Sequence, residues 1–167
     1  DKPTDDFIKR CIGTPGDIIE IKGQTLFRNG KIVPEPYMKW SNPNSSYDLK
    51  IVGGKVYSRA YNAGSGFNST PIWMIEGPAK QSREAAPNQQ YISNAKPEPI
   101  PDGKYLMLGD HRDNSSDGHV WGFVPRENIR GKAFCVFWPP SRIGTIDRMS
   151  QNPRRAQTQN EPSVIAR

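Results

Sequence analysis

Two stretches of this chain hold residue types that can move a proton, and the first centres on one amine. Lys9 lies in the run Phe7-Ile8-Lys9-Arg10-Cys11-Ile12. Strand alternation puts Lys9 on one face with Phe7 and Cys11, and turns Arg10 to the other with Ile8 and Ile12. An amine between an aromatic ring and a buried-type sulfur is partly desolvated. Desolvation disfavours the ammonium, so such a lysine is expected to release its proton nearer neutral pH and to suit the work of a general base. The same residues also describe a strand-edge lysine with a packed stem and a solvated head, so context has to decide.

The second stretch is Gly109-Asp110-His111-Arg112-Asp113-Asn114-Ser115-Ser116-Asp117-Gly118-His119, directly after the apolar run Tyr105-Leu106-Met107-Leu108. A strand that opens into a loop dense in carboxylates, hydroxyls and a guanidinium is a common way to build a polar site on a rigid scaffold. Asp113, Ser115, Asp117 and Gly118 also fall at positions 1, 3, 5 and 6 of a calcium loop. Position 12 is then Val124 instead of a bidentate Glu, and Pro125 blocks the helix that should begin there, so calcium is not expected. His111 and His119 lack the spacing of a zinc pair and have no Cys near them in sequence, so they read as surface or hydrogen-bonding residues. On these spacings no metal is expected.

The elements that must hold these residues read as β-structure. Apolar residues make up 34% of the 167, while Gly and Pro number 15 and 16, a balance that disfavours long buried helices. Residues 6–12 form a strand that ends in the turn Gly13-Thr14-Pro15-Gly16-Asp17. Ile18–Lys22, Thr25–Arg28 and Lys31–Val33 follow as strands joined by Gly23-Gln24 and Asn29-Gly30. Residues 35–98 are richer in Pro, Asn, Ser and Gly and are predicted to be an inserted lobe, with 76–97 mostly loop. Apolar runs at Tyr105–Leu108 and Lys132–Trp138 predict two buried strands of the core. The predicted organisation is a core from 1–34 and 99–149, the lobe between, and a flexible basic tail over 150–167.

Bulk properties exclude little more. The net charge is +6, but Lys and Arg are scattered among acids, so nucleic-acid binding is not expected. Cys11 and Cys135 are too few for a disulfide scaffold, and their spacing suits neither zinc nor redox chemistry. No run approaches the ~20 apolar residues of a membrane span, and no anchor is expected within these residues.

The two stretches also carry a resemblance. Phe7 through Asp17 closely resembles the type I signal peptidase box written K-R-V-I-G-L-P-G-D. Gly109 through Pro125 resembles the box G-D-N-R-D-N-S-x-D-S-R-x-W-G-F-V-P of that family. The boxes stand in the family order, and with the Thr25–Gly30 hairpin and the Gly131–Trp138 strand the resemblance covers most of 6–138. It implies a mostly β fold, a signal peptidase/LexA-like β-sheet core with an inserted loop-rich β lobe.

For function, the resemblance implies a serine endopeptidase that removes N-terminal signal peptides from exported precursors through a Ser/Lys dyad and requires no metal or organic cofactor. Lys9 would be its general base and Ser115 the serine that orients it. Asp117, Asp110 and Arg112 would form an ion-paired group beneath the site, with Arg10 the neighbouring basic residue. The parent enzyme would work at a membrane surface, on the extracytoplasmic side of a bacterial plasma membrane, cutting after small residues in an A-x-A-like pattern. Trp121, Phe123, Phe137 and Trp138 are candidates to meet lipid, or equally to pack in the core.

Departures from the pattern are His111 for Asn, Gly118-His119 for a Ser-Arg pair, Cys11 for Val and Thr14 for Leu. The larger departure is the nucleophile. The family serine sits in an S-M-x-P-T motif upstream of the lysine, and that motif occurs nowhere in these residues. Ser65 and Ser116 are poor substitutes, so the chain is expected to carry the base without the nucleophile and to be inactive alone. The alternative is a non-catalytic paralogue that binds extended peptides or a partner along a sheet edge.

Overall fold

The computed structural model describes residues 6–61, 72–77, 84–146 and 163–166, the last group by its backbone. The first strand, β1 (Phe7–Gly13), is followed by a three-stranded meander of β2 (Ile19–Lys22), β3 (Thr25–Arg28) and β4 (Lys31–Val33). Asn29 and Gly30 take φ values of 53° and 76°, the positive pair that a two-residue hairpin needs to match strand twist. These four strands fall where turn chemistry and alternation place them.

The meander does not stand apart from the segment that follows. β5 (Ser46–Val52) pairs with β2 through Glu20 opposite Lys50 and Ile21 opposite Leu49. β5 then forms a long hairpin with β6 (Lys55–Tyr61), and β7 (Met74–Ile75) closes the edge. The result is one antiparallel six-stranded sheet in the order β4-β3-β2-β5-β6-β7. The sheet thus runs straight across the boundary expected at 34/35.

A second sheet carries β1 at its centre. β8 (Lys104–Leu108) pairs antiparallel with β1, Arg10 opposite Leu108 and Cys11 opposite Met107, and β9 (Val124–Pro125) lies beyond β8. On the other side of β1 lies β13 (Ser163–Ala166), with β10 (Ile129–Lys132) outside it, giving the order β10-β13-β1-β8-β9. Residues 163–166 are therefore a strand, against the expectation of a flexible tail over 150–167. Their backbone hydrogen-bonds to two neighbours, which a four-residue apolar-leaning run at the end of a polar stretch does not announce. The remainder of that tail lies outside the described residues.

The two sheets share one core. Ile12, Ile19, Ile21, Leu26, Leu49, Ile51, Val56, Ile100, Leu106 and Leu108 are all buried within it, so the supposed core and lobe contribute alike. Each such side chain contributes roughly 1.5–3 kcal/mol on leaving water. A smaller cluster of Val52, Trp73, Ala86 and Ile92 lies beneath α1 (Gln89–Asn94), a helix within the stretch predicted as loop. Six residues with one buried position show no helical period, and the local signal is the Asn88 cap, whose side chain accepts from Tyr91 N.

The run Lys132–Trp138 is not a buried strand. β10 ends at Lys132, β11 (Cys135–Val136) pairs with β12 (Gly144–Thr145), and Phe134, Phe137 and Trp138 are 73%, 80% and 70% exposed. An apolar run ended by prolines is as compatible with an exposed patch as with a core strand.

The turn after β1 ties the sheets together through Asp17. Its carboxylate accepts from Thr14 N and Oγ1, both at 2.8 Å, and from Asn29 Nδ2 at 3.1 Å, and pairs with Arg28 at 2.8 Å. Its backbone O accepts from Ile100 N, and Gly16 N donates to Ile100 O. Burial alone would raise the Asp17 carboxyl, but Arg28, Thr14 and Asn29 together hold it down at about 2. A depressed carboxylate stabilises the fold above its unfolded value of about 3.9, and that contribution is lost as pH falls through about 2. Asp17→Asn should therefore cost roughly 2 kcal/mol at neutral pH in urea denaturation, with the gap from wild type closing as the titration approaches the folded value.

Candidate active site

The site follows from the β1·β8 pairing. With Arg10 opposite Leu108, the loop that leaves β8 at Gly109 starts beside Lys9. Ser115, 106 residues further along the chain, meets it there, and Lys9 Nζ donates to Ser115 Oγ at 2.7 Å. The lysine is partly buried, with the Phe7 ring centroid 5.9 Å from its amine. Phe7 is itself 48% exposed while Cys11 is buried, so only the sulfur side of the expected apolar enclosure is closed.

The loop keeps this shape because Gly109 has no side chain. A Cβ there would fall 2.2 Å from Ser115 Oγ and 2.7 Å from Ser115 Cβ. Gly109 N donates to Asp117 Oδ2 at 2.7 Å, which draws the start of the loop onto its far end. Asp117 is fully buried and also caps α2 (Gly118–Trp121), accepting from His119 N at 3.1 Å. His119 Nδ1 lies 2.7 Å from Asp117 Oδ1, and because an ionised carboxylate can only accept, Nδ1 carries the proton. Burial works to raise the Asp117 carboxyl, but hydrogen bonds from His119, Gly109 and Ser115 and the His119 charge hold it below the ordinary range.

The ion-paired group expected beneath the site is arranged as three separate pairs. Arg10 grips Asp110 with two bonds of 2.8 and 2.9 Å and stacks over Tyr37 at 3.5 Å from the ring centroid. Arg112 is turned away from both aspartates. Its guanidinium forks onto Glu35, Nη1 to Oε2 at 3.0 Å and Nη2 to Oε1, and its Nε donates to Gly109 O at 3.1 Å. Asp117 takes His119 as its partner. Sequence reasoning passed over Glu35, which lies in a Pro-rich stretch with no motif, and read His119 as a surface or hydrogen-bonding residue without naming Asp117 as its partner.

Glu35 begins a segment that lines the loop from outside. Lys39 N donates to Asp110 O, Arg112 N donates to Lys39 O, and Asp113 accepts from Ser41 N and Asn42 N. Ser41 Oγ lies 2.7 Å from His111 Nε2, and Asp113 Oδ1 lies 3.4 Å from the same nitrogen. A serine, a histidine and an aspartate thus meet, but a proton relay needs the two partners on opposite ring nitrogens, so this cluster is a clasp.

Other candidates are distributed as follows. Trp121 and Phe123 pack against buried clusters, whereas Phe137 and Trp138 face out beside exposed Phe134 and Ile143. Ser116 is exposed, and Ser65 lies outside the described residues. Cys11 and Cys135 are both free, one buried and one exposed, and burial pushes the Cys11 thiol up to about 11. Among the described residues no helix is long and apolar enough to cross a membrane, and no group of three His, Cys, Asp or Glu could hold a metal ion.

Comparison with known proteins matches the chain to a family. The family model described as "Signal peptidase, peptidase S26" matches residues 1–138. The chain is 32% identical over 142 residues to "Probable signal peptidase I-2" of Synechocystis sp., covering 85% of this chain and 43% of that protein. It is 34% identical over 139 residues to "Signal peptidase IB" of Staphylococcus aureus, covering 83% and 56% respectively. The chain belongs to the peptidase S26 family of signal peptidases. It spans about half the length of the curated relatives it matches.

Removing one member of a buried pair leaves the other charge without a partner. Both side chains of the Glu35–Arg112 pair are almost wholly buried, at 3% and 1% exposed. Glu35→Gln should accordingly destabilise the chain by roughly 3 kcal/mol in chemical denaturation, and Arg112→Met combined with Glu35→Met should recover part of that loss.

Proposed function

We propose that this chain is the lysine-bearing part of a signal peptidase I that cleaves precursors by a Ser/Lys dyad, with Lys9 as general base. The observation that carries the proposal is the 2.7 Å hydrogen bond from Lys9 Nζ to Ser115 Oγ. It engages one N–H of the amine and so fixes where the lone pair points. In the reaction, Lys9 takes the proton of a serine hydroxyl as that oxygen bonds to the scissile carbonyl carbon. The protonated lysine then gives the proton to the departing amine, and a water deprotonated by the same amine hydrolyses the acyl-enzyme. Asp117 and the Arg10–Asp110 pair hold the loop and strand that carry this geometry.

The nucleophile in this proposal comes from sequence outside these 167 residues, since the S-M-x-P-T motif is absent from them. The substrates are signal-peptide-bearing precursors, held extended by main-chain hydrogen bonds with small side chains next to the cleavage point. The site of action is a membrane surface on its extracytoplasmic side. The exposed group of Phe134, Phe137, Trp138 and Ile143 supports a lipid contact, because aromatic rings favour the interface between headgroups and acyl chains.

The full-length gene product carrying Lys9→Met should lose processing of a model precursor by at least ~10³-fold against wild type, as expected for removal of a general base. The 167-residue chain alone should not cleave. A full-length wild type that binds precursor without cleaving it would overturn the protease reading in favour of a peptide-binding paralogue. Separately, Phe137→Ser with Trp138→Ser should weaken cosedimentation of the chain with phospholipid vesicles by about tenfold, leaving its denaturation midpoint unchanged.

A further inference from the structure

We infer that the β11–β12 hairpin recognises anionic phospholipid headgroups, with Lys132 and Arg142 selecting the bilayer that its apolar side chains enter. The inference rests on the lipid contact proposed above and is independent of the protease chemistry.

β11 and β12 form a two-stranded sheet of their own, separate from the two sheets that build the core. No residue from 134 to 146 is buried. A lone two-stranded hairpin is marginal in water, so this one gains from a surface that covers it. Ile146 N donates to Phe134 O at 3.0 Å and Val136 pairs with Gly144, which leaves Phe137, Trp138 and Ile143 in the projecting tip. Arg142 stands in the same tip, at the end of a 3-10 turn over Pro140–Arg142 in which its N–H donates to Pro139 O at 2.8 Å.

The charges around this apolar tip have one sign. From Ile129 to Ile146 the chain contains Arg130, Lys132 and Arg142 and neither Asp nor Glu. Alternation along β10 turns Arg130 and Lys132 to the exposed side, while Ile129 and Gly131 are half-buried. Arg130 lies 3.1 Å from Asp6 in a pair close to half exposed on both sides. Lys132 and Arg142 have no ion-pair partner among the described residues. Elsewhere cations sit against acids, as Lys22 does with Glu20, Arg59 with Asp48 and Arg10 with Asp110.

This charge pattern separates the possible occupants. Exposed aromatic rings favour any bilayer interface, so they do not choose among lipids. A second copy meeting this face about a symmetry axis would set the same cations against one another with no carboxylate between them. An anionic bilayer surface gains with each Lys or Arg brought near it, and a zwitterionic one does not. Negative headgroups therefore complement the hairpin in both charge and polarity.

The test is cosedimentation of the 167-residue chain with vesicles of phosphatidylcholine, alone and with about 25 mol% phosphatidylglycerol added. Wild type should bind the mixed vesicles more tightly by about 20-fold or more, and rising salt should shrink the difference by screening the headgroups. Lys132→Gln with Arg142→Gln should lose about 20-fold on mixed vesicles and change less than about twofold on neutral ones. Lys31→Gln with Lys96→Gln removes the same net charge from exposed positions outside the hairpin, and should cost less than about threefold. Equal binding of wild type to the two vesicles, or equal losses in the two double variants, overturns the inference. In that case a loss in Phe137→Ser with Trp138→Ser would still support a lipid contact of no headgroup preference. A chain that binds neither vesicle overturns the lipid contact together with the inference, and if it is also dimeric in buffer a second copy covers the hairpin.

Discussion

A carboxylate out of water must be met by donors, and Asp117 is fully buried. Much of the loop geometry between β8 and β9 can be understood as the answer to that requirement. Gly109 N reaches it from the start of the loop, His119 N and Nδ1 reach it from α2, and the Ser115 hydroxyl approaches from between. Each of these bonds fixes a different part of the backbone. Their joint effect is to leave Ser115 pointing at Lys9, because its hydroxyl proton is directed toward the carboxylate while its lone pairs face the amine.

Lys9 and this loop are positioned by different means. The lysine sits in mid-strand, where register with β8 determines its height and alternation determines its face. The loop is shaped by side-chain bonds and by the space at Gly109 and Gly118, where a Cβ would fall 2.8 Å from both Met107 O and Leu106 Cδ1. A strand gives the amine a fixed direction, and the loop supplies charges that a strand face could not bury. The Glu35–Arg112 and Arg10–Asp110 pairs then lock the loop to the Glu35–Asn42 segment on one side and to β1 on the other. The pairs Arg10–Asp110, Arg112–Glu35 and His119–Asp117, in place of one mixed cluster, give each carboxylate a partner of its own.

Much of this was legible in the residues. Asn29-Gly30, Gly23-Gln24 and the Pro15-Gly16 turn delimit β1 to β4 because each demands a particular backbone, and the strands between them alternate cleanly. Lys9 and Ser115 were legible as a pair through their two boxes. What was not legible depends on distant partners. Glu35 acquires its role only because the chain folds the 34–42 segment against Arg112, and no local pattern marks it. Residues 35–98 read as a separate lobe because Pro and Gly interrupt them, yet β5 carries Tyr47, Leu49 and Ile51 into the common core. The run at 132–138 failed for the opposite reason, since its apolar content reflects an exposed patch and local periodicity cannot tell the two apart.

The placement of β1 inside its sheet bears on how a peptide could approach the amine. β8 pairs along one side of β1 and β13 along the other, with Val164 opposite Lys9. β8 reaches only Arg10, Cys11 and Gly13, while β13 covers Phe7 to Arg10, so the β8 side of β1 has no register partner at Phe7, Ile8 and Lys9. An extended ligand could pair along that open stretch beside Lys9, or it could replace β13 between β1 and β10. In the first arrangement the ligand's main chain would bond to β1 itself, past the end of β8. In the second, Lys9 comes to lie directly beside the incoming strand, at the cost of the seven backbone register pairs that β13 makes with β1 and β10. Pairing past the end of β8 loses none of those pairs, so it is the arrangement that the sheet order favours.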